Sequence, residues 1–328
     1  MTETTESRIS RKGKVWNTIK ILLAVLLIAY VISRTDLKAV RHTWQILSQS
    51  WLLLSVLCFV VMTIIKALEY RALIDPPLSF WNVLNIIVMQ NAISNFVSNA
   101  AGVVSYMSMF RAEHGVRLSR SAVAFIVVKV GDLVAILCML TISMGMIWSK
   151  LYTLHGLLLF LSAGILAALL VFLTTLFSRQ WLVGLLERFL AWSRLVKFEP
   201  VQRVLELLKD LGGQEQSVVM GMLLRGVVYS GLYFSLTIAW FYATIRAFSI
   251  PIIFPEILFI SAMLQVISFI PIQVFGGLGV TEVSSLYLYG LFGVPQVEIS
   301  AALIGIRIYN TLLNALTLLY IPFGRAKK

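Results

Sequence analysis

Apolar stretches long enough to cross a membrane recur along the whole chain. They cover roughly residues 15–33, 51–68, 121–148, 154–177, 217–248, 257–270 with its neighbours, and 299–323. A bilayer core of about 30 Å requires about 20 helical residues, and most of these stretches reach that length. The pattern therefore predicts an all-α fold, a polytopic integral membrane protein, with the stretch at 15–33 as a first anchor and not a cleaved signal peptide.

Composition and charge support this class of protein. Of 328 residues, 59% are hydrophobic and 13% are charged, whereas soluble domains carry about a quarter charged residues. The net charge of +12 would suggest nucleic acid as a partner of a soluble protein. Here, however, the basic residues flank the apolar spans, which is the pattern that sets membrane orientation. We therefore expect no nucleic-acid partner.

Four basic clusters predict the cytoplasmic side. They are Arg8, Arg11, Lys12 and Lys14; Arg111, Arg117 and Arg120; the stretch 179–215; and Arg325, Lys327 and Lys328. This distribution places both termini in the cytoplasm. The chain reads as a single transmembrane domain over 1–328, and an amphipathic cytoplasmic linker at 178–216 separates two similar halves at about 51–177 and 217–323.

The two halves repeat a series of short motifs. The first series is Ile93-Ser94, Asn99 to Gly102, Gly115-Val116 and Lys129-x-x-Asp132. The second is Ile267-Ser268, Phe275-Gly276-Gly277, Gly293-Val294 and Arg307-x-x-Asn310. Counting crossings from the basic clusters makes 80–110 a hairpin that enters from the inside and 255–290 a hairpin that enters from the outside. The chain is thus predicted to form two inverted repeats, each with a re-entrant helical hairpin, as in many transporters.

The stretch FGGLGVTE, residues 275–282, interrupts the second hairpin. Glycine permits positive φ, so we expect Gly276, Gly277 and Gly279 to form a re-entrant loop, with Gly102 at the matching place in the first half. Such backbone is tolerated in a membrane where it lines a cavity, and the half-helix that follows offers its positive end to an anion. The alternative is that these glycines only allow helices to pack closely.

Several ionisable residues lie within the predicted spans, where each costs about 2.5 to 3.5 kcal/mol to insert. Lys129 and Asp132, three residues apart, are expected to pair on one helix, and Arg307 is the expected partner of Glu282. These pairs either fix helix register or expose Lys129 and Arg307 to a lipid phosphate. Arg225 is a weaker candidate. Three further ionisable residues lie at a span end: Lys66, Glu69 and Arg71. They are interpreted as snorkelling and orienting residues.

The second motif, Phe275 to Glu282 with Gly293-Val294, Ala301-Ala302 and Arg307, resembles the lysylphosphatidylglycerol synthase transmembrane region, the flippase-like half of multiple peptide resistance factors. The stretch 95–102, followed by Arg111 and Lys129-x-x-Asp132, is similar to that family's other motif, which adds Arg111 to the candidate headgroup-binding residues. The family commonly has proline where this chain has Phe275, and arginine where it has Lys129.

The resemblance implies lipid translocation in a plasma membrane. It does not imply synthesis: the sequence runs to Lys328, just past its last span, so we expect no soluble aminoacyl-transferase domain.

We therefore expect a lipid transporter that moves a phospholipid or polyprenyl-phosphate lipid between leaflets through a central polar cavity. The alternative is a lipid-binding membrane scaffold, or an accessory subunit of a separate synthase or glycosyltransferase. A membrane-embedded transferase is disfavoured, since the sequence supplies no catalytic constellation. No cofactor and no metal site are indicated. The expected partners are a membrane lipid, a second copy of the chain, or a lipid-modifying enzyme.

Overall fold

The structure, a computed structural model, describes residues 45, 47–74, 78–116, 118–177, 216–268, 277 and 279–318. Within these ranges the chain forms nine α-helices and one short 3-10 helix. The predicted anchor at 15–33 lies outside the described residues, as do residues 178–215 of the predicted linker and the terminal basic clusters.

The helices follow the apolar pattern closely. They are α1 (Gln49–Leu73), α2 (Phe80–Phe96), α3 (Asn99–His114), α4 (Leu118–Ile147), α5 (His155–Phe177), α6 (Gln216–Ala247), α7 (Phe254–Ser268), α8 (Val280–Gly290) and α9 (Gln296–Leu318). The 3-10 helix Trp148–Leu154 joins α4 to α5.

Four of the described helices are long and apolar enough to cross a membrane: Gln49–Leu73, Arg120–Tyr152, Met220–Ala247 and Gln296–Thr317. Large apolar side chains on the helices point outward, such as Leu53 at 70% exposure and Phe160 at 76%. A water-facing surface would not carry such residues on every helix, whereas a lipid-facing surface requires them. The prediction of an all-α, polytopic membrane protein is confirmed.

The chain divides into two compact units. Unit A comprises Met1–Leu57, Val88–Ser105 and Ala239–Lys328, and unit B comprises Cys58–Ile87 and Tyr106–Ile238. Each unit draws on both predicted halves of the chain.

The first predicted hairpin turns at Val97 and Ser98, between α2 and α3. Gly102 lies beyond this turn, inside α3, so its expected place in an irregular loop is wrong. Its role is packing: a Cβ at Gly102 would lie 1.9 Å from Ser94 Oγ and 3.1 Å from the carbonyl oxygen of Gln90. A glycine is needed here because α3 folds back against α2 with no room for a side chain.

Two glycines allow a similarly close approach of α4 and α6 in unit B. A Cβ at Gly131 would lie 2.7 Å from the carbonyl oxygen of Gly226, and a Cβ at Gly226 would lie 2.9 Å from Val127 Cγ1. The Gly226 carbonyl is backbone, which cannot rotate away. The separation of these two helices is therefore fixed by the absence of side chains at both positions.

We predict that Gly131→Ala lowers the free energy of unfolding by about 1–3 kcal/mol, because the new methyl group forces α4 and α6 apart. The measurement is the thermal unfolding temperature of the purified protein in detergent. Gly145→Ala is the matched control on the same helix, since nothing lies within 4 Å of a Cβ there. The control should be neutral or stabilising by up to about 1 kcal/mol. Equal effects of the two substitutions would contradict the close crossing.

Candidate functional site

Four charged side chains from α1 and α4 meet in unit B. Lys66 Nζ lies 2.8 Å from Glu69 Oε2 and 2.9 Å from Asp132 Oδ1. Lys129 Nζ lies 2.9 Å from Asp132 Oδ2. Lys66 therefore bridges two carboxylates, and Asp132 is held by two lysines. We call these four residues the charge cluster.

Helix α6 adds polar partners to the charge cluster. Ser230 Oγ lies 2.8 Å from Glu69 Oε1 and 3.1 Å from Asp132 Oδ1. Lys66 Nζ also stands over the ring of Tyr233, 4.5 Å from its centroid, in a cation–π arrangement. Ser230 reaches both acids because Gly131 and Gly226 bring α4 and α6 together one residue away from Asp132. The small residues and the charges are thus parts of one arrangement.

Burial within the charge cluster is uneven. The side chains of Glu69, Asp132 and Lys66 are exposed by 0%, 5% and 13%, whereas that of Lys129 is exposed by 41%. Two positive and two negative charges balance, as buried charges must if they are to stay ionised. Lys129 is consequently the most exposed member of the charge cluster.

The expected pairing of Lys129 with Asp132 is confirmed. The interpretation of Lys66 and Glu69 as snorkelling residues is wrong for both: Glu69 is fully buried, and Lys66 points inward to the two acids. The spacing Lys66-x-x-Glu69 repeats that of Lys129-x-x-Asp132, and this signal could have found the second pair. Nothing in the sequence around Ser230 marked it as a partner.

The helix break predicted in FGGLGVTE is present in unit A. Gly277 and Gly279 have φ of 81° and 85°, a region that side-chain-bearing residues rarely adopt. Helix α8 begins directly after them, at Val280. Gly276 lies outside the described residues.

Glu282 caps the helix that it begins. The backbone N–H of Gly279 donates to Glu282 Oε2 at 2.7 Å, so the acid at the third helical position satisfies a donor at the start of α8. Glu256 does the same for α7, accepting from the Ile253 N–H at 3.3 Å. The positive end of α8 is thus already occupied by the protein's own carboxylate, and a ligand anion there would have to share it with Glu282.

Arg307 of α9 lies beside this cap. Its Nη1 is 3.6 Å from Glu282 Oε1, within ion-pair distance but longer than a hydrogen bond. The Arg307 side chain is 25% exposed and that of Glu282 is 12% exposed. The predicted pairing of these residues is confirmed, and the guanidinium retains a partly exposed face.

The remaining candidates do not join these two groups of residues. Arg111, in the last turn of α3, and Arg225, on α6, are both exposed. In unit A, Asn95 Nδ2 donates to Asn314 Oδ1 at 3.1 Å, and the hydroxyls of Ser55 and Tyr309 are hydrogen-bonded. Neither contact was anticipated from the sequence.

A polytopic helical membrane protein with charge pairs on its spanning helices is thus the class that the described residues define. The family model for the lysylphosphatidylglycerol synthase TM region matches residues 17–317. The chain therefore belongs to this family of lipid-related membrane proteins, and the family resemblance drawn from its motifs is confirmed. No curated protein and no solved structure matches the chain.

We predict that Lys66→Met destabilises the protein by about 3–5 kcal/mol, because Glu69 then remains buried without a cation. The double variant Lys66→Met with Glu69→Gln should recover part of this loss, since Asp132 keeps Lys129 as its partner. The unfolding temperatures of the wild type, both single variants and the double variant in detergent measure the coupling. If the stability losses of the two single variants add up to the loss of the double variant, Lys66 and Glu69 are not coupled.

Proposed function

We propose that the protein is a flippase-like transporter that moves a phospholipid or polyprenyl-phosphate lipid between membrane leaflets. Lys129 of unit B and Arg307 of unit A each offer a positive charge to a lipid phosphate, and Asp132 and Glu282 hold these two cations in place. The observation that carries this proposal is a partly exposed arginine at the middle of a spanning helix, beside an interrupted backbone.

Arg307 is the twelfth residue of the 23-residue helix α9. An arginine at the centre of a spanning helix costs about 2.5 to 3.5 kcal/mol to insert. Its carboxylate neighbour Glu282 lies 3.6 Å away and also accepts the Gly279 N–H. A guanidinium offers five donors in a planar fork that suits a phosphate, so the partly exposed face of Arg307 fits a phosphorylated headgroup.

Lys129 occupies the corresponding place in the first half. Both residues follow a glycine-valine pair by the same interval, Lys129 by 14 residues from Gly115 and Arg307 by 14 from Gly293. Both glycines have positive φ, 64° and 78°, and the valine after each donates its N–H back to the preceding helix. Each cation is also the twelfth residue of its helix, α4 or α9. This correspondence of local structure supports a real duplication.

The helices before each glycine-valine pair support the re-entrant hairpins. They contain 17 and 16 residues in α2 and α3, and 15 and 11 in α7 and α8. All four are shorter than the roughly 20 residues of a full crossing. We propose that each pair enters and leaves on one side, with opposite entry sides, in a plasma membrane protein whose termini are cytoplasmic.

In a variant lacking Cys58 and Cys138, we expect a cysteine at Glu113 to react with an impermeant maleimide only after the inner face is exposed. A cysteine at Ile253 should react in intact cells. The physical reason is the distribution of basic residues, which keeps the loop near Arg111 inside. Labelling of both positions from the same face would overturn the inverted arrangement.

We expect Arg307→Gln and Lys129→Gln each to slow the flipping of fluorescent phosphatidylglycerol in proteoliposomes about tenfold or more, the effect of losing a charged hydrogen bond to the ligand. Dithionite quenching of the outer leaflet measures the rate. Arg307→Lys keeps the charge without the planar fork and should give an intermediate rate.

Lys150→Gln removes an exposed cation from the 3-10 helix and serves as the control. Equal incorporation and equal unfolding temperatures separate loss of transport from loss of folding. Wild-type rates in both the Arg307→Gln and Lys129→Gln variants would overturn the assignment. Binding of the lipid by the wild type without flipping would favour the lipid-binding scaffold.

A further inference from the structure

Three oxygen atoms of unit B lie in a row that can accept one additional proton. Glu69 Oε1 is 2.8 Å from Ser230 Oγ, and Ser230 Oγ is 3.1 Å from Asp132 Oδ1. Ionised carboxylates are acceptors only, and a serine hydroxyl has one hydrogen to donate. When both acids are ionised, the one hydroxyl hydrogen of Ser230 is shared between the carboxylates of Glu69 and Asp132.

One additional proton completes this row. If Glu69 is protonated, its hydroxyl donates to Ser230 Oγ, and Ser230 donates in turn to Asp132 Oδ1. Ser230 then has a separate hydrogen bond with each acid, and Asp132 remains the ionised partner of Lys66. Glu69 is the better proton acceptor of the two acids because Asp132 has two lysines at 2.9 Å, whereas Glu69 has Lys66 alone among the ion pairs of the described residues.

This proton can compensate for the charge of a bound anion. Without ligand, the two lysines and two acids of the charge cluster sum to zero. An anionic phosphate that binds the partly exposed Lys129 adds one negative charge and draws Lys129 away from Asp132. Lys66 is then the cation between two carboxylates, and uncompensated charge in a buried setting is costly. A proton on Glu69 restores neutrality.

We propose that the charge cluster takes up a proton, on Glu69, when an anionic phosphodiester headgroup binds at Lys129. The proposal rests on the proposed function, and it adds that binding is coupled to protons. The ionisable groups that face Glu69 come from four helices. They are Lys66 and Tyr70 of α1, Tyr106 of α3, Asp132 of α4, and Tyr233 of α6. Lys129 of α4 lies on the other side of Asp132 and pairs with it.

Calorimetric titration of the full chain in detergent with dioctanoyl-phosphatidylglycerol tests the proposal. The phosphodiester of this lipid stays ionised near neutral pH, so any proton taken up comes to the protein. Repeating the titration in two buffers of different ionisation enthalpy gives the number of protons exchanged. We expect the wild type to take up about one proton per lipid at pH 7, and to bind more weakly as pH rises.

Glu69→Gln mimics the protonated acid and should bind the lipid with no proton uptake and with little dependence on pH. Glu298→Gln removes an exposed acid in the first turn of α9 and should behave as the wild type. Loss of lipid binding in Lys129→Gln is expected as well. A merely structural role of Glu69 would change stability without changing the count of protons.

The outcomes are distinguishable. Wild-type binding without proton uptake would overturn this inference and leave the proposed function standing, whereas no lipid binding by the wild type would overturn both. Continued proton uptake by Glu69→Gln would overturn the assignment to Glu69. The last probe is glycerophosphoglycerol, the headgroup without acyl chains. If it binds as tightly as dioctanoyl-phosphatidylglycerol, with the same proton uptake, proton-coupled binding of a phosphodiester is supported. The same result would overturn a lipid as the ligand.

Discussion

Charge buried among membrane-spanning helices has to find its counterion within the protein, because the hydrocarbon around it offers none. In unit B this requirement is met by Lys66, which lies between Glu69 and Asp132. The arrangement works only if three helices approach closely, and the pair Gly131 and Gly226 permits that approach. Packing of small residues and pairing of charges are therefore one constraint: widening the crossing of α4 and α6 would also separate Ser230 from the acids.

In unit A, backbone N–H groups also have to find their partners within the protein. A helix that begins after Gly279 leaves N–H groups without partners in its first turn, and water is scarce in the membrane interior. Glu282 supplies an acceptor at 2.7 Å and at the same time an anion for Arg307. One carboxylate thus stabilises an interrupted helix and an arginine at the centre of a span. Arg307 therefore keeps a partly exposed face while its charge is compensated by Glu282.

Much of this could be predicted from the sequence. The apolar runs identified the spanning helices, positive φ was expected at Gly277 and Gly279, and residues three apart identified Lys129 with Asp132. The errors share a cause. Gly102 was expected in a loop, because glycine signals a break and a close contact equally well. Lys66 and Glu69 were assigned to a span end, because a one-dimensional pattern does not tell an inward-facing side chain from a snorkelling one.

The sequence by itself determined the helical membrane class, the family motifs and the local pairs, since these depend on composition and on neighbours within one or two helical turns. Only the tertiary structure decided that Lys66 pairs with Asp132, 66 positions further along the chain. It also decided that Ser230 lies within hydrogen-bond distance of two acids from different helices. Contacts between distant residues depend on how helices cross. That crossing is set by the side-chain volume at a few positions, such as Gly131 and Gly226, and no periodicity in the sequence records which helices meet there.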